Sequence, residues 1–319
     1  MWVEPDVRDE IIEYTERIVS LSKHSLRYLI MLLGIGPSRF YEWKKRTGLI
    51  NRHNGLIPRM HWILPEEINA IIEFCRDKIQ DGYRRLTYMM IDHDIAYVSP
   101  ATTYRILKRE NLLNRWIKPL KTNKGTGFVQ PLEVHRDWHT DIAYVNILGT
   151  IFFLISVLDG FSRKILHHEL RENMRELDVE IVIQRTLEQY PDARPNVITD
   201  NGSQYVSKDF KEFIRESGLT HIRTSIRYPQ SNGKIERFHK TIKEEKIRTS
   251  SLLGIEDAKR QVAKYVDYYN EVRLHSAIFY LTPQEVFEGK MEERLAERQR
   301  KLDTAREKRT EIAMKRLSA

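Results

Sequence analysis

The chain has a single cysteine, Cys75, among 319 residues. One thiol makes neither an internal disulfide nor a multi-cysteine zinc site, so a disulfide-stapled secreted scaffold and a cysteine-rich finger are excluded, and a reducing compartment is expected. Glycine and proline are sparse, at 14 and 11, which excludes collagen-like and low-complexity classes. The longest apolar run, Ile142 to Leu158, is broken by Asn146 and by Gly149-Thr150; it falls short of a membrane span and reads better as a β-hairpin, so no membrane association is expected. The first ten residues carry four acids and no secretory-leader pattern. Neither a P-loop nor a dinucleotide-binding glycine motif is present, so nothing points to nucleotide hydrolysis.

What is there is a charged, core-forming chain, 41% hydrophobic and 31% charged, long enough for two or three domains. The formal charge is +8, divided as +6 over residues 1–124, −2 over 125–289 and +4 over 290–319. Basic flanks around a slightly acidic middle suit a polyanionic partner without specifying a fold.

The first 124 residues have helical periodicity. Ser25 to Leu33, a Gly34-Ile35-Gly36-Pro37 break, and Ser38 to Arg46 form a helix, a turn and a second helix ending in Lys44, Lys45 and Arg46. That is the grammar of a helix-turn-helix, and equally of an ordinary helical hairpin. The grammar recurs in Pro65 to Lys78, Tyr83 to Ile91 and Pro100 to Glu110. Ser99-Pro100 is a good helix start, since proline at the first helical position lacks only an N–H that would go unbonded. On the helix it opens, Thr102, Arg105 and Arg109 share one face, with Lys108 beside them, able to reach bases or phosphates. A solvated basic face is the bland alternative. Lys121 to Gln130, with two glycines, reads as a linker.

Beyond it the period changes. Trp138 to Ile147, Ile151 to Leu158 and Ser162 to Glu169 read as an antiparallel meander. A helix (Arg175 to Tyr190), a strand (Asn196 to Thr199), a helix (Lys208 to Ser217), a strand (Leu219 to Thr224) and a longer helix (Asn232 to Arg248) follow. This order predicts a mixed sheet covered by helices. Four acids in it sit where an acid is locally awkward: Asp141 in a strand, Asp159 at a strand end, Asp200 after the apolar Asn196 to Thr199, and Glu236 in a helix. Singly, Asp159-Gly160 and Asp200-Asn201-Gly202 pass as turns, and Asp137 reads as a solvated residue at the start of a strand. Together, such carboxylates suit hard divalent cations, and a pair of Mg²⁺ ions about 3.5–4 Å apart serves both oxygens of a phosphodiester displacement.

WHTDIAYV, ITDNGSQYVS and YPQSNGKIERFHKTIKEE resemble the signatures of the integrase catalytic core found in bacterial insertion-sequence transposases and retroviral integrases. Thirty-five residues separate Asp200 from Glu236, the spacing of that family's last two acids. The resemblance implies an RNase H-like core with a mixed five-stranded sheet, catalytic and metal-binding roles for Asp141, Asp200 and Glu236, and two Mg²⁺ ions, with Mn²⁺ an alternative. It implies a polynucleotidyl transferase that cuts transposon ends and joins them to target DNA, as a homo-oligomer on that DNA, in the bacterial cytoplasm at the nucleoid. A nuclease without strand joining and a helix-turn-helix regulator with an inactive core are the alternatives. Tyr269 to Phe287, with its YN, R-x-H and TP steps, resembles the family's C-terminal element, and GYRRLT through SPATTYRILKREN its DNA-binding region.

Lys240 and Lys243 share the helix face of Glu236, where they would hold phosphates or simply bridge to neighbouring acids, while Ile235, Phe238 and Ile242 would bury against the sheet. Asn201, Gln204, Ser231 and Asn232 are further candidate phosphate donors, and Gly202 and Gly233 candidate turn positions. His135 and His139 are read as strand residues, the retroviral HHCC zinc domain being absent, so end recognition falls to the helix-turn-helix region. The expected domains are two such modules (1–60 and 61–124), the core with its C-terminal element (125–288) and an exposed, salt-bridged basic helical tail (289–319), with Glu297–Lys301 and Glu311–Lys315 as i,i+4 pairs.

Overall fold

The computed structural model describes residues 3–49, 61–78, 80–113, 130–224 and 232–317. Two compact units emerge: residues 1–62 with 309–319, and residues 63–308. The expected boundaries near 60 and 124, the linker through Lys124 and Ser231 fall at or within segments outside the described residues.

In the first unit α1 (Pro5–Leu21), α2 (Leu26–Leu32) and α3 (Pro37–Lys44) enclose Ile12, Ile30, Ile35 and Phe40. The Ser25 side chain caps α2 by accepting from the Tyr28 N–H, and Pro37 starts α3. The helix α1 was not singled out from the sequence; Ile12 is its contribution to this core. Its fully buried Arg8 donates to the Arg46 and Leu49 carbonyls at 2.8 and 2.9 Å, tying down the chain after α3.

The second unit begins with α4 (Pro65–Arg76), α5 (Tyr83–Asp92) and α6 (Pro100–Arg109), packed around Ile71, Cys75, Leu86, Met90, Val98 and Leu107. As expected, the Ser99 side chain caps α6 and Pro100 occupies its first turn. A buried hydrogen bond of 2.8 Å between Thr87 and Thr103 joins α5 to α6.

The sheet has the order β3-β2-β1-β4-β5, comprising β1 (Asp137–Ile147), β2 (Thr150–Asp159), β3 (Ile165–Arg171), β4 (Asn196–Thr199) and β5 (Thr220–Arg223). The first three are antiparallel, while β1–β4 and β4–β5 are parallel. Leu148 and Gly149, both at positive φ, make the two-residue turn that closes the β1–β2 hairpin. Side chains alternate between faces with the period of two that a strand imposes. Ala143, Val145 and Ile147 of β1 with Leu154 and Leu158 of β2 meet α10 (Gly233–Ile242) and α11 (Ile255–Glu271). Trp138, Ile155 and Val157 meet α7 (Glu176–Gln189) and α9 (Lys208–Glu216) on the other face. The short α8 (Ser203–Val206) lies between β4 and α9, and α12 (Pro283–Phe287) and α13 (Met291–Leu317) close the chain. No helix among the described residues is long and apolar enough to cross a membrane.

Two expectations about ends and tails need correction. The helix expected over Asn232 to Arg248 changes at Lys243–Ile247 to a π-turn, closed by Arg248 N–H to the Lys243 carbonyl at 3.0 Å. The tail is helical and keeps its Glu297–Lys301 pair at 3.2 Å, but its first half is not a free basic face. Arg298 is 4% exposed and donates to both carboxylate oxygens of Asp92 at 2.8 and 2.5 Å. Lys301 pairs with Asp94 at 2.6 Å and Arg294 with Glu285 at 2.7 Å. Those acids belong to the end of α5, the turn after it, and α12, so reading the tail by itself misses them.

Candidate active site

Asp141 and Asp200 come together through strand register. The parallel pairing of β1 with β4 stops at His139 opposite Ile198. Two residues beyond that last pair stand Asp141, still in β1, and Asp200, the residue after β4 ends at Thr199; continuing the register would put them opposite each other on one face. Asp141 shares the parity of Ala143 and Val145, so it projects to the α10 side of the sheet. There α10 buries Ile235, Phe238 and Ile242, and that packing leaves Glu236, in its first turn, on the flank nearest Asp141.

The three carboxylates feel one another. Partial burial raises Asp200 above its ordinary value and the Asp141 charge raises it further, against a lowering hydrogen bond from the Gly202 N–H at 2.9 Å. Partial burial likewise raises Glu236, followed by the charges of Asp141 and Asp200. Asp141 accepts from the Ile142 N–H at 2.8 Å, and its other oxygen lies 3.3 Å from His239 Nδ1. Among the described residues no three His, Cys, Asp or Glu side chains come together as a metal-ligand cluster. A hollow of about 400 Å³ beside them is lined by Asp141, Glu236, His239, Lys240 and Lys243 among others, but not by Asp200. Lys240 also lies 3.8 Å from Glu244, the plain ion pair weighed against a phosphate role.

Two side chains here were not anticipated. His239 follows Glu236 by three residues on α10, a helical spacing visible in the sequence. Tyr205, on α8 just after Asp200, is fully buried, and burial followed by the Asp141 charge pushes its phenol well above the usual range.

Several expected roles change. Asn232 is 1% exposed; its amide nitrogen donates to the Thr140 carbonyl at 3.3 Å and its oxygen lies 3.4 Å from His139 Nδ1. It therefore pins the start of α10 to β1 and is not presented to phosphates. Asn201 is exposed, yet its amide donates to the Thr224 carbonyl at 2.8 Å and holds the end of β5. Asp137 is buried and accepts from Asn196 at 2.9 Å, so it is not the solvated residue expected. His139 lies in β1, but His135 precedes the strand at a φ of 61°. Asp159 is turn chemistry as expected, accepting from the Ser162 N–H and hydroxyl at 2.7 and 2.6 Å. Neither Gly202 nor Gly233 has a left-handed backbone; a Cβ at Gly202 would run into the movable end of the Gln204 side chain, whereas at Gly160 it would sit 3.0 Å from the fixed Asp137 carbonyl.

Of the basic candidates, Arg105, Lys108 and Arg109 are exposed on α6. Arg105 donates to the Thr102 hydroxyl at 3.2 Å and Arg109 to Glu110 at 2.9 Å. In the first unit Lys44 pairs with Glu16 of α1, Lys45 is exposed, and Arg46 is half-buried with its carbonyl taken by Arg8.

The C-terminal element buttresses α10. Tyr269 packs edge-on against Phe238 with ring centres 4.9 Å apart. Asn270 bonds both backbone groups of Ile165 in β3, at 2.9 and 3.0 Å. Arg273 clasps Glu245, in the π-turn, at 2.6 and 2.9 Å, and His275 reaches the Tyr269 carbonyl at 3.3 Å. Thr282 and Glu285 form a capping box that opens α12.

The Integrase core domain family matches residues 131–229, and a second profile of the same description matches 217–283. An insertion element IS136 protein of Agrobacterium fabrum is 30% identical over 190 residues, 56% of this chain and 96% of that one. The transposase of insertion element IS904 from Lactococcus lactis is 29% identical over 182 residues, 56% of this chain and 67% of its own. The transposase InsD of insertion element IS2 from Escherichia coli is 28% identical over 218 residues, 64% and 72%. Among solved structures, a chain of a simian T-cell lymphotropic virus intasome in complex with a PP2A regulatory subunit superposes with a TM-score of 0.45 at 16% identity, covering 66% of this chain and 72% of that one. The HTLV-2 integrase catalytic core in complex with magnesium gives a TM-score of 0.40 at 16% identity, covering 49% and 98%.

Proposed function

Because the chain belongs to the bacterial insertion-sequence transposases with an integrase-type, RNase H-like core, we propose that Asp141, Asp200 and Glu236 are its catalytic carboxylates, cutting element ends and joining them to target DNA. The observation that supports this is the parallel β1–β4 register, whose last pair is His139 with Ile198; continued by two residues it would bring Asp141 opposite Asp200, on the face that α10 covers.

The donor set fits a divalent metal. Three carboxylates offer hard oxygen ligands, and each of Asp200 and Glu236 is disfavoured as an anion first by burial and then by the charge of the neighbouring acids, which a dication would offset. Asp141, Asp200 and Glu236 would hold two Mg²⁺ ions, or Mn²⁺. When bound, such ions stabilise the attacking and leaving oxygens of an in-line displacement.

The reaction is two phosphodiester exchanges. Water attacks the phosphorus at the element end; the P–O bond to the 3′ oxygen breaks and that oxygen leaves as a hydroxyl. The new 3′-OH then attacks a target phosphodiester, forming one P–O bond as another breaks, with no covalent bond to the protein. Lys240 and Lys243 flank Glu236 on the hollow and hold the strand's phosphates. His239 fixes the orientation of Asp141, and Asn232 and the C-terminal element hold α10 against the sheet. The face of Thr102, Arg105, Lys108 and Arg109 on α6 meets the element ends, with Lys44, Lys45 and Arg46 as a second contact. Residues 1–60 and 61–124 act as the recognition modules, 125–288 as the catalytic core with its C-terminal element, and 289–319 as a helical strut. Two ends must be joined together, so the working form is a homo-oligomer on DNA, in the cytoplasm at the nucleoid.

Purified protein, Mg²⁺, labelled terminal-repeat DNA and a target plasmid test this reading. Asp200→Asn is expected to keep DNA binding and lose the joined product; joining at the parent rate by that variant overturns the assignment.

A further inference from the structure

On the flank of α10 away from Glu236, within the second unit, lies a larger cavity of about 710 Å³. Lys234, Arg237 and Thr241, at i, i+3 and i+7, line it from α10. Arg84 and Arg85 at the start of α5 face them, and Arg163 and Arg273 complete the cationic lining, against Glu245 as its one acid. Arg273 is spent on Glu245 and Arg85 on Asp81, both at 2.6 Å. Arg84 and Arg237 form no ion pair with any described carboxylate. The buried Arg163 Nε has no hydrogen-bond partner, and burial pushes its guanidinium below its ordinary value against the opposing influence of Tyr269 and Asp159, with Arg237 adding a smaller push downward.

The backbone adds an independent observation. Arg163 has a φ of 69° and Tyr280, also on the lining, 59°, the latter directly after Phe279 at 57°. Bulky residues rarely adopt this conformation, and such strain gathers at functional sites. Here Arg298 of α13 holds the strained pair by donating to the Phe279 and Tyr280 carbonyls at 3.2 and 2.8 Å.

From Arg84 and Arg237 facing one cavity without an ion pair, beside the buried Arg163, we infer that the cavity is a phosphodiester site, seating the backbone of DNA already held by the α4–α6 module. Its place between α5 and α10 makes it the passage from recognition helices to catalytic helix. The contact proposed is to phosphate: planar guanidinium groups match phosphate oxygens bidentately, and contacts to the sugar-phosphate backbone carry no sequence information directly. The inference rests on the transposase reading for the identity of the polyanion.

Full-length Arg84→Gln/Arg237→Gln is compared with the parent chain by fluorescence anisotropy, using a fluorescein-labelled terminal-repeat duplex and an unrelated duplex of equal length from 50 to 300 mM salt. Neither side chain leaves a carboxylate stranded, so the fold should survive, as circular dichroism will register. Both duplexes should bind about tenfold more weakly, with a salt slope shallower by about 1 to 2. Arg84→Lys/Arg237→Lys should retain most of the affinity. Should the glutamine variant be misfolded, Thr241→Asp, which adds an anion to the same wall, should give the same loss. Parent-like affinity and slope in folded glutamine or Thr241→Asp protein overturns the inference, as does weakening confined to the terminal-repeat duplex. Asp200→Asn in the joining assay is run alongside: its loss of joining beside an unchanged cavity variant defeats the cavity alone, whereas retained joining defeats the catalytic assignment and leaves the anisotropy result to judge the cavity.

Discussion

His239 Nδ1 lies 3.3 Å from a carboxylate oxygen of Asp141, and His239 stands one helical turn beyond Glu236. The helix that supplies one acid of the site therefore also orients another, on a strand nearly a hundred residues earlier. Its Nε2 is buried without a hydrogen-bond partner, so the ring is held by Asp141 and by packing. Groups that orient metal ligands typically contribute 10–100-fold in affinity or activity. His239→Ala should lower joining by about that factor and raise the Mg²⁺ concentration for half-maximal activity, with terminal-repeat binding unchanged. A parent-like Mg²⁺ titration would remove His239 from this role.

The acid cluster should cost the metal-free protein stability. Asp200 is raised by partial burial and then by Asp141, so its anion is less favourable in the folded chain than in the unfolded one. At pH 7 Asp200→Asn should melt above the parent in metal-free buffer. Added Mg²⁺ should raise the parent Tm more than that of the variant. Scanning fluorimetry with and without chelator reads both effects.

Glu245 supplies a pH dependence of the opposite sign. Burial alone would raise its carboxyl, but the hydrogen bonds and charge of Arg273 and the Tyr265 hydroxyl outweigh it, leaving the group below its ordinary value of 4.5. The unfolded chain thus takes up this proton at higher pH than the folded one. The stabilisation is fully present above about pH 5 and disappears as pH falls through the folded value. Glu245→Gln should flatten the acid limb of a Tm-against-pH curve. Glu245→Ala, which leaves the buried Arg273 without its carboxylate, should cost about 2 kcal/mol in urea unfolding at pH 7.

Arg298 should matter for folding and little for DNA. It satisfies Asp92, whose side chain is 14% exposed, and two backbone carbonyls. Arg298→Ala should destabilise the second unit by about 3 kcal/mol, the cost of breaking a mostly buried pair. Because its charge is already neutralised by Asp92, the salt slope of DNA binding should change far less than for the Arg84/Arg237 variant. A large fall in slope in a folded Arg298→Ala protein would return the tail to the DNA interface.

Local chemistry made much of this legible. Ser99-Pro100 announced α6, and the shift from helical to alternating periodicity announced the sheet. The amphipathic pattern of Ile235, Phe238 and Ile242 turned Glu236 outward. What escaped depends on partners distant in the chain: Arg298 finds Asp92, Arg273 finds Glu245, and Asn232 is buried by His139 and Thr140. The π-turn at Lys243–Ile247 was equally hidden, because it alters which carbonyl each N–H meets and leaves the side-chain pattern helical. The cavity was equally invisible, since Arg84, Arg163 and Arg237 come from α5, the β2–β3 connection and α10.

α10 works as a three-sided prism. Ile235, Phe238 and Ile242 are glued to the sheet, Glu236, Lys240 and Lys243 look one way, and Lys234, Arg237 and Thr241 look the other. Each residue turns the prism by about 100°, so one residue inserted between Asn232 and Glu236 would rotate every side out of place at once. The spacing between the second and third acids therefore inherits part of its rigidity from the helix itself.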